Sequence, residues 1–302
     1  MTATKSPYPH YLGVCAIFRN EAQWLREWIE FHRLVGVTRF LLYDNGSTDD
    51  YWSVLRSCAP ACITVIDWPD DGELVRRIGW VRATQMPAYL DGMRRMTGEC
   101  TWLAVMDTDE FLVPVRDRDM PTFLRPFESF GGVVLNWQCF GTSGVRRLPA
   151  GKLMIECLSR RGPRDSKYNR RVKSIVRPER VAPVPHLHVF EYRGGWYAVN
   201  PDGERYGRLD EAICARVDSA RIHHYMNRTL EYFEQEKIGK KEHMSGLVLS
   251  RDDVRVRRER FNDVEDRTIL RFVPELRANL FPGSGGVSSR TGDIVAHENE
   301  LL

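Results

Sequence analysis

Apolar residues along this chain fall into two alternating rhythms. Tyr11 to Phe18 (YLGVCAIF) is an apolar run rich in strand formers, the mark of a strand buried on both faces. Asn20 follows in position to cap a helix, with Gln23 placed as its capping-box partner. Trp24, Leu25, Trp28, Ile29, His32 and Val35 then recur at helical spacing until Gly36 stops the run. Thr38 to Tyr43 predicts a second strand, closed by the turn residues Asp44 to Asp50, and a short helix is expected over Tyr51 to Ser57. Ile63 to Asp67 predicts a third strand, Val81 to Met96 a helix, and Thr101 to Met106 a fourth strand.

Apolar strands separated by helices predict an α/β fold with a mostly parallel sheet covered on both faces. Ligands bind such sheets beyond the carboxyl ends of the strands, which points to the loops beginning at Asp44 and Asp107. After Val133 to Trp137 the alternation fades into a mixed region of short strands, prolines and glycines reaching Ile222. One helix is expected over Thr229 to Lys241 and a charged one over Asp252 to Phe272. The end of the chain, 281–302, opens with Pro282, Gly283, Ser284, Gly285 and Gly286 and reads as a mobile tail.

Composition narrows the class. At 302 residues, 42% hydrophobic and 28% charged, the chain has the material for a sizeable core and does not describe a disordered polymer. A net charge of +3 argues for neither a nucleic-acid nor a membrane-surface protein. The seven cysteines are odd in number and form no Cys-x-x-Cys pair, so buried free thiols in a reducing compartment are expected. No signal-peptide core stands at the N-terminus and no apolar stretch reaches the ~20 residues of a membrane helix. A cytoplasmic protein without a transmembrane segment is the expectation, with peripheral membrane contact left open.

The chemistry concentrates where the fourth strand runs into Met106-Asp107-Thr108-Asp109-Glu110-Phe111. Carboxylates packed directly after a buried strand are costly unless a cation sits among them. Asp107 and Asp109 can grip one hard divalent ion, leaving positions open for diphosphate oxygens; the plainer alternative is an acidic helix start. Asp44, at the end of the second strand, falls toward the same crevice and is either a ligand contact or a turn cap. Between Arg160 and Arg180 stand nine Lys and Arg against Asp165 and Glu179. Most of these suit a solvated face, and Lys173 is the candidate for a contact to an anionic donor or acceptor. No aromatics are interleaved in a nucleic-acid-binding pattern, so no nucleic-acid partner is expected.

A resemblance joins these segments. Asn20-Glu21-x-x-x-Leu25-x-Glu27-Trp28-Ile29-x-Phe31-His32, Tyr43-Asp44-Asn45-x-Ser47-x-Asp49 and Asp107-x-Asp109-Glu110-Phe111 occur in order. They are followed by Trp137-x-x-Phe140-Gly141-x-Ser143-Gly144, Lys173-Ser174-Ile175-Val176-Arg177-Pro178 and His224-Tyr225. Over Tyr11 to Lys241 this resembles glycosyltransferase family 92 and its family-2-like bacterial relatives. The resemblance implies a GT-A fold, a nucleotide-sugar donor (UDP-linked) and Mn²⁺ or Mg²⁺ at the Asp-x-Asp. A single GT-A domain over 1–280 is implied, with a nucleotide-binding half at 11–115 and an acceptor-side, metal-closing half at 130–245.

Carried over by position, Asp44 implies the contact to the nucleotide base, Asp107 the ribose and metal contacts, and Asp109 a metal ligand. His224 implies the histidine that completes the metal shell, with His188 a rival for that role. The family's Lys-Ser after His-Tyr is replaced by Arg228-Thr229, and Arg228 remains suited to a diphosphate. The expected activity is a metal-dependent hexosyltransferase moving a sugar from a nucleotide-sugar to a glycan or polysaccharide acceptor, with inversion. Inversion needs a carboxylate base, for which Glu156 and Glu110 are the candidates. Trp137 and Phe140 suit either sugar stacking or the core. Alternatives are a metal-dependent phosphoesterase or nucleotidyltransferase, and a non-catalytic carbohydrate-binding protein of the same fold.

Overall fold

A computed structural model describes residues 7–184, 186–207, 212, 214–238 and 250–282, together with the backbone of 295–296. Its centre is a ten-stranded sheet. Strands β1 (His10–Phe18), β2 (Arg39–Asp44), β3 (Ile63–Asp67) and β4 (Cys100–Val105) lie in the order β3-β2-β1-β4, all parallel. The first half is therefore the α/β arrangement expected. Along β1, Leu12, Val14, Ala16 and Phe18 enter one core cluster, while Cys15 and Ile17 enter a second on the opposite face. Burial on both faces is why this strand carries no polar alternation.

Beyond β4 the sheet becomes mixed. β5 (Glu110–Pro114) follows the Asp107 loop directly, and β6 (Gly132–Cys139), β7 (Arg160–Arg161), β8 (Val172–Val176), β9 (Ala198–Val199) and β10 (Ala220–His224) come after it. β8 pairs antiparallel with both β4 and β6, β10 runs parallel to β6 and antiparallel to β5, and β9 adds to β6. One continuous sheet thus joins the four parallel strands to the later ones, the layout of a GT-A fold. β11 (Val264–Glu265) pairs with β7 in a separate ribbon, and β12 (Val295–Ala296) pairs with the edge of β3. Apart from β12, the tail predicted over 281–302 lies outside the described residues beyond Pro282.

Several helix expectations change in detail. Helix α1 (Ala22–Leu34) buries Trp24, Leu25, Trp28, Ile29 and His32 as predicted, and Phe31 besides. Asn20 does not cap it: Asn20 sits at φ 55 and accepts from the Thr48 N–H, while the Asp49 carboxylate accepts from the Ala22 N–H. The cap comes from the β2 loop, so no local spacing revealed it. Gly36, at φ 101, ends the segment as predicted. α2 (Tyr51–Ser57) forms as expected, and α3 (Gly72–Ile78), which the hydrophobic pattern did not predict, is capped by Asp71.

The helix expected over Val81 to Met96 is a π turn, Val81–Gln85, leading into α4 (Met86–Met96). Pro87 has no N–H to continue a regular ladder, and the Met86 N–H reaches back to the Val81 carbonyl. Downstream, Leu230–Tyr232 is helical and Phe233–Ile238 is a second π turn; the remainder of the predicted Thr229–Lys241 helix lies outside the described residues. The charged helix predicted over Asp252 to Phe272 is corrected to Arg251–Glu259, followed by β11, a short 3₁₀ turn and a helix at Val273–Leu280. Phe261, at φ 69 and buried, breaks the run. Among the described residues no helix is long and apolar enough to cross a membrane.

Candidate active site

The loop between β4 and β5 carries Asp107 to Asp109 to the carboxyl end of the parallel strands, where it lines a cavity of about 680 Å³. Each carboxylate is held by a different part of the sheet. Asp107 Oδ1 accepts from the Tyr89 hydroxyl and the Gln85 amide, both at 2.8 Å. Its Oδ2 accepts from Lys173 Nζ at 2.9 Å. Burial works against charge on Asp107, but the Lys173 ammonium overrides it and holds the carboxyl below its usual range. The lysine in turn lies on β8, whose place beside β4 puts this long side chain under the loop.

Asp109 meets His224 through strand pairing. β5 and β10 align Glu110 with His224, and the Tyr225 N–H donates to the Asp109 carbonyl at 2.8 Å. His224 Nε2 thereby stands 3.3 Å from Asp109 Oδ1. Burial opposes charge on this imidazole, yet the adjacent Asp109 carboxylate pushes its pKa up to about 10. His188 takes no part: its Nδ1 is bonded to the Val172 carbonyl and its ring packs against Trp137.

Arg228 closes another wall. Its Nη2 donates to Glu21 Oε2 at 2.5 Å, and its guanidinium lies 5.0 Å from the Trp24 ring centroid and 4.6 Å from that of Tyr232. Its Nε and Nη1, both buried, have no hydrogen-bond partner among the described residues. Buried N–H groups left unmatched beside a cavity suit an anionic ligand.

Of the residues singled out above, Asp107, Asp109, His224 and Arg228 line this cavity. Lys173 stands behind it at 1% exposure, a partner of Asp107 and not an open contact. Glu110 is fully buried; its Oε2 accepts from the Asp107 N–H at 2.9 Å and faces Lys173 at 3.6 Å. Burial raises its pKa to about 7. Asp44 turns inward, accepting from the Ser47 N–H and the Tyr51 hydroxyl. Glu156 caps the Leu153 N–H and pairs with Arg277, outside the cavity lining. Trp137 and Phe140 stack on His224 and His223 inside the core.

The basic stretch also disperses. Arg161 bonds Asp266, Arg164 bonds Asp218, and Arg177 and Arg180 bond the Glu128 carbonyl. Sequence reasoning passed over Gln85 and Tyr89, whose i,i+4 spacing aims both at Asp107, and Glu21, which it quoted without a role. All seven cysteines are free thiols, and Cys214 is exposed, contrary to a uniformly buried set.

The donor chemistry of this site fits a divalent cation. Among the described residues no three His, Cys, Asp or Glu form a closed metal cage. Hard ions such as Mg²⁺, however, are commonly held by one or two carboxylates and the phosphates of the substrate. Asp109, with His224 beside it and Asp107 on the same wall, offers that open arrangement.

A family model for glycosyltransferase family 92 matches residues 9–245. The chain belongs to that family. A glycosyltransferase family 92 protein of Ricinus communis is 29% identical over 76% of this chain and 37% of its own length. Another, of Oryza sativa subsp. japonica, is 25% identical over 91% of this chain and 46% of its own length. The family 92 chain thus spans less than half the length of these relatives. Among solved structures, glucosyl-3-phosphoglycerate synthase from Mycobacterium tuberculosis in complex with Mn²⁺, UDP-glucose and phosphoglyceric acid is 16% identical, with a TM-score of 0.33. That likeness covers 80% of this chain and 82% of the other.

Proposed function

We propose that this family 92 chain transfers a sugar from a nucleotide-sugar donor, UDP-linked, to a glycan acceptor with the help of Mn²⁺ or Mg²⁺. The observation that carries the reading is the cavity in which Asp107, Asp109 and His224 face Arg228 with its two unmatched N–H groups. Acid for a cation and a fork for a phosphate around one cavity suit a metal–diphosphate ligand. Asp109 and His224 would hold the ion, with Asp107 oriented beside them by Tyr89, Gln85 and Lys173. Bound there, a divalent ion neutralises charge developing on the departing diphosphate.

The protein's own groups do the rest. Arg228 Nε and Nη1 would share the diphosphate charge, while Glu21 keeps the guanidinium aimed. For inversion a carboxylate takes the acceptor proton. Glu110 is sealed and Glu156 is off the cavity, and among the described residues Glu21 is the lining carboxylate outside the Asp pair.

The test is a thermal-shift screen of nucleotide sugars with and without Mn²⁺, followed by an assay for nucleotide release. A donor that binds the fold must raise its melting temperature. No shift and no release across the panel would end the reading; diester or monoester cleavage without sugar transfer would favour a phosphoesterase.

A further inference from the structure

The family match ends at residue 245, but the cavity does not. Arg257, Arg260 and Phe261, from the segment after Ser250, form part of its lining. This segment is locked in place. Asp266 accepts from Arg161 Nε at 2.7 Å and from Arg221 Nη2 at 2.7 and 2.8 Å, and β11 pairs with β7. Gly141 N–H donates to the Phe261 carbonyl at 2.9 Å, and Ser143 N–H to Asn262 Oδ1 at 2.7 Å. A Cβ on Gly141 would stand 2.4 Å from Asn262 Oδ1 and 2.7 Å from the Arg260 carbonyl. The Phe-Gly-x-Ser-Gly block is thus the seat on which the 259–263 segment rests.

Charge balance then sets these two arginines apart. Arg228 is matched by Glu21, His224 by Asp109, and Lys173 behind the wall by Asp107. On the helix itself Arg255 pairs with Asp252 and Arg258 with Glu259. Among the described residues neither Arg257 nor Arg260 forms an ion pair with a carboxylate; Asp253, one turn before Arg257 on its own helix, accepts from the Ser250 N–H and meets the Arg257 charge only beyond ion-pair distance. Arg260 is oriented by the Tyr168 hydroxyl at 2.7 Å, its guanidinium 4.7 Å from that ring's centroid. A donor diphosphate is met by one divalent cation and by Arg228. Two further guanidinium forks exceed what it requires, and their planar geometry fits a second carboxylate or phosphate.

We propose that Arg257 and Arg260 recognise a negative group on the acceptor, so that the acceptor class is an anionic saccharide bearing a carboxylate or a phosphate. The inference rests on reading the cavity as the donor site, and its test separates the two. Titration calorimetry on the full chain first measures UDP with Mn²⁺, then methyl glucuronide, glucose 6-phosphate and methyl glucoside on the UDP·Mn²⁺-saturated protein. At least one anionic probe is expected to bind about tenfold tighter than the glucoside, as charge-assisted bidentate contacts allow. The carboxylate and phosphate arms show which anion is preferred. Arg257→Gln and Arg260→Gln should each weaken that probe about fivefold while leaving the UDP·Mn²⁺ affinity within about twofold. Equal affinity for anionic and neutral probes, or no probe binding at all, overturns the proposal. So does a loss of UDP·Mn²⁺ affinity matching the loss for the probe, which would give the arginines to the donor. Failure of the wild type to bind UDP·Mn²⁺ strikes instead at the donor reading.

Discussion

Lys173 Nζ stands 2.9 Å from Asp107 Oδ2 and 3.6 Å from Glu110 Oε2, so one buried ammonium serves two carboxylates beneath the cavity floor. Removing it strands negative charge in the interior. Lys173→Met is expected to lower unfolding free energy by about 3–5 kcal/mol, the usual range for one partner lost from a buried ion pair. Adding Asp107→Asn to Lys173→Met should recover part of that loss, because Asp107 is the carboxylate that Lys173 holds ionised and its stranded charge disappears. Urea denaturation of the three proteins checks this, and equal stability of the single and double variants would sink it.

Asp109 and His224 form the other half of the floor. Asp109→Asn keeps the shape of the side chain and removes its charge, so Mn²⁺-dependent stabilisation by UDP should fall by most of its wild-type value. Tyr89→Phe removes only one neutral donor to Asp107, worth about 1 kcal/mol. It should therefore cost about fivefold in UDP·Mn²⁺ affinity and leave the metal requirement intact. A larger effect from Tyr89→Phe than from Asp109→Asn would reverse the assigned importance of the two carboxylates.

How much of this could be read in the chain depends on whether a residue's partner is local. Asp107 and Asp109 were legible because an apolar strand delivers them to a strand end, where buried acid demands a cation. Lys173 is singled out for an anionic donor or acceptor, but the anion it meets is Asp107, which only the β8–β4 pairing reveals. Asp44 reads as a base contact from its position, and Ser47 and Tyr51, three and seven residues on, each donate to one of its oxygens, a setting that position alone does not reveal. The charged helix was misread because Asp252 to Glu259 continues smoothly in composition into Arg260. The break lies in Phe261, whose burial against the Tyr168 ring no linear pattern encodes.

A pH signature should arise at His32. Its Nε2 accepts from the Leu112 N–H at 3.2 Å, so its proton sits on Nδ1, 2.8 Å from the Trp28 carbonyl. Burial drives its pKa down to about 3 from 6.5, so the folded state binds fewer protons than the unfolded one between those values. Its contribution is present above pH 6.5 and is lost as pH falls. Between pH 7.5 and 5 the stability advantage of wild type over His32→Gln should shrink by about 2 kcal/mol. The comparison must be a difference, since Glu27, with its pKa raised to about 7 by burial, acts with the opposite sign. An advantage constant across that range would show that the ring is not buried neutral.

Asp266 offers the sharpest test of how the C-terminal segment is held. Two arginines from β7 and β10 converge on it, with Arg161 and Arg221 both at 2.7 Å from Oδ2. Burial opposes its charge, but the Arg221 and Arg161 guanidiniums bonded to it outweigh that and hold the carboxyl well below its usual range. The stability it contributes is thus present above the ordinary aspartate range and lost only as pH drops through it. Asp266→Asn removes the charge while keeping the shape, leaving Arg221 buried without its counter-ion. Hydrogen exchange should speed up at the amides of Gly141, Ser143, Asp263 and Asp266 that tie this segment to the sheet, while those of β1 and β2 keep their protection. Uniform acceleration across the sheet would instead mean that the segment and the core open as one cooperative unit.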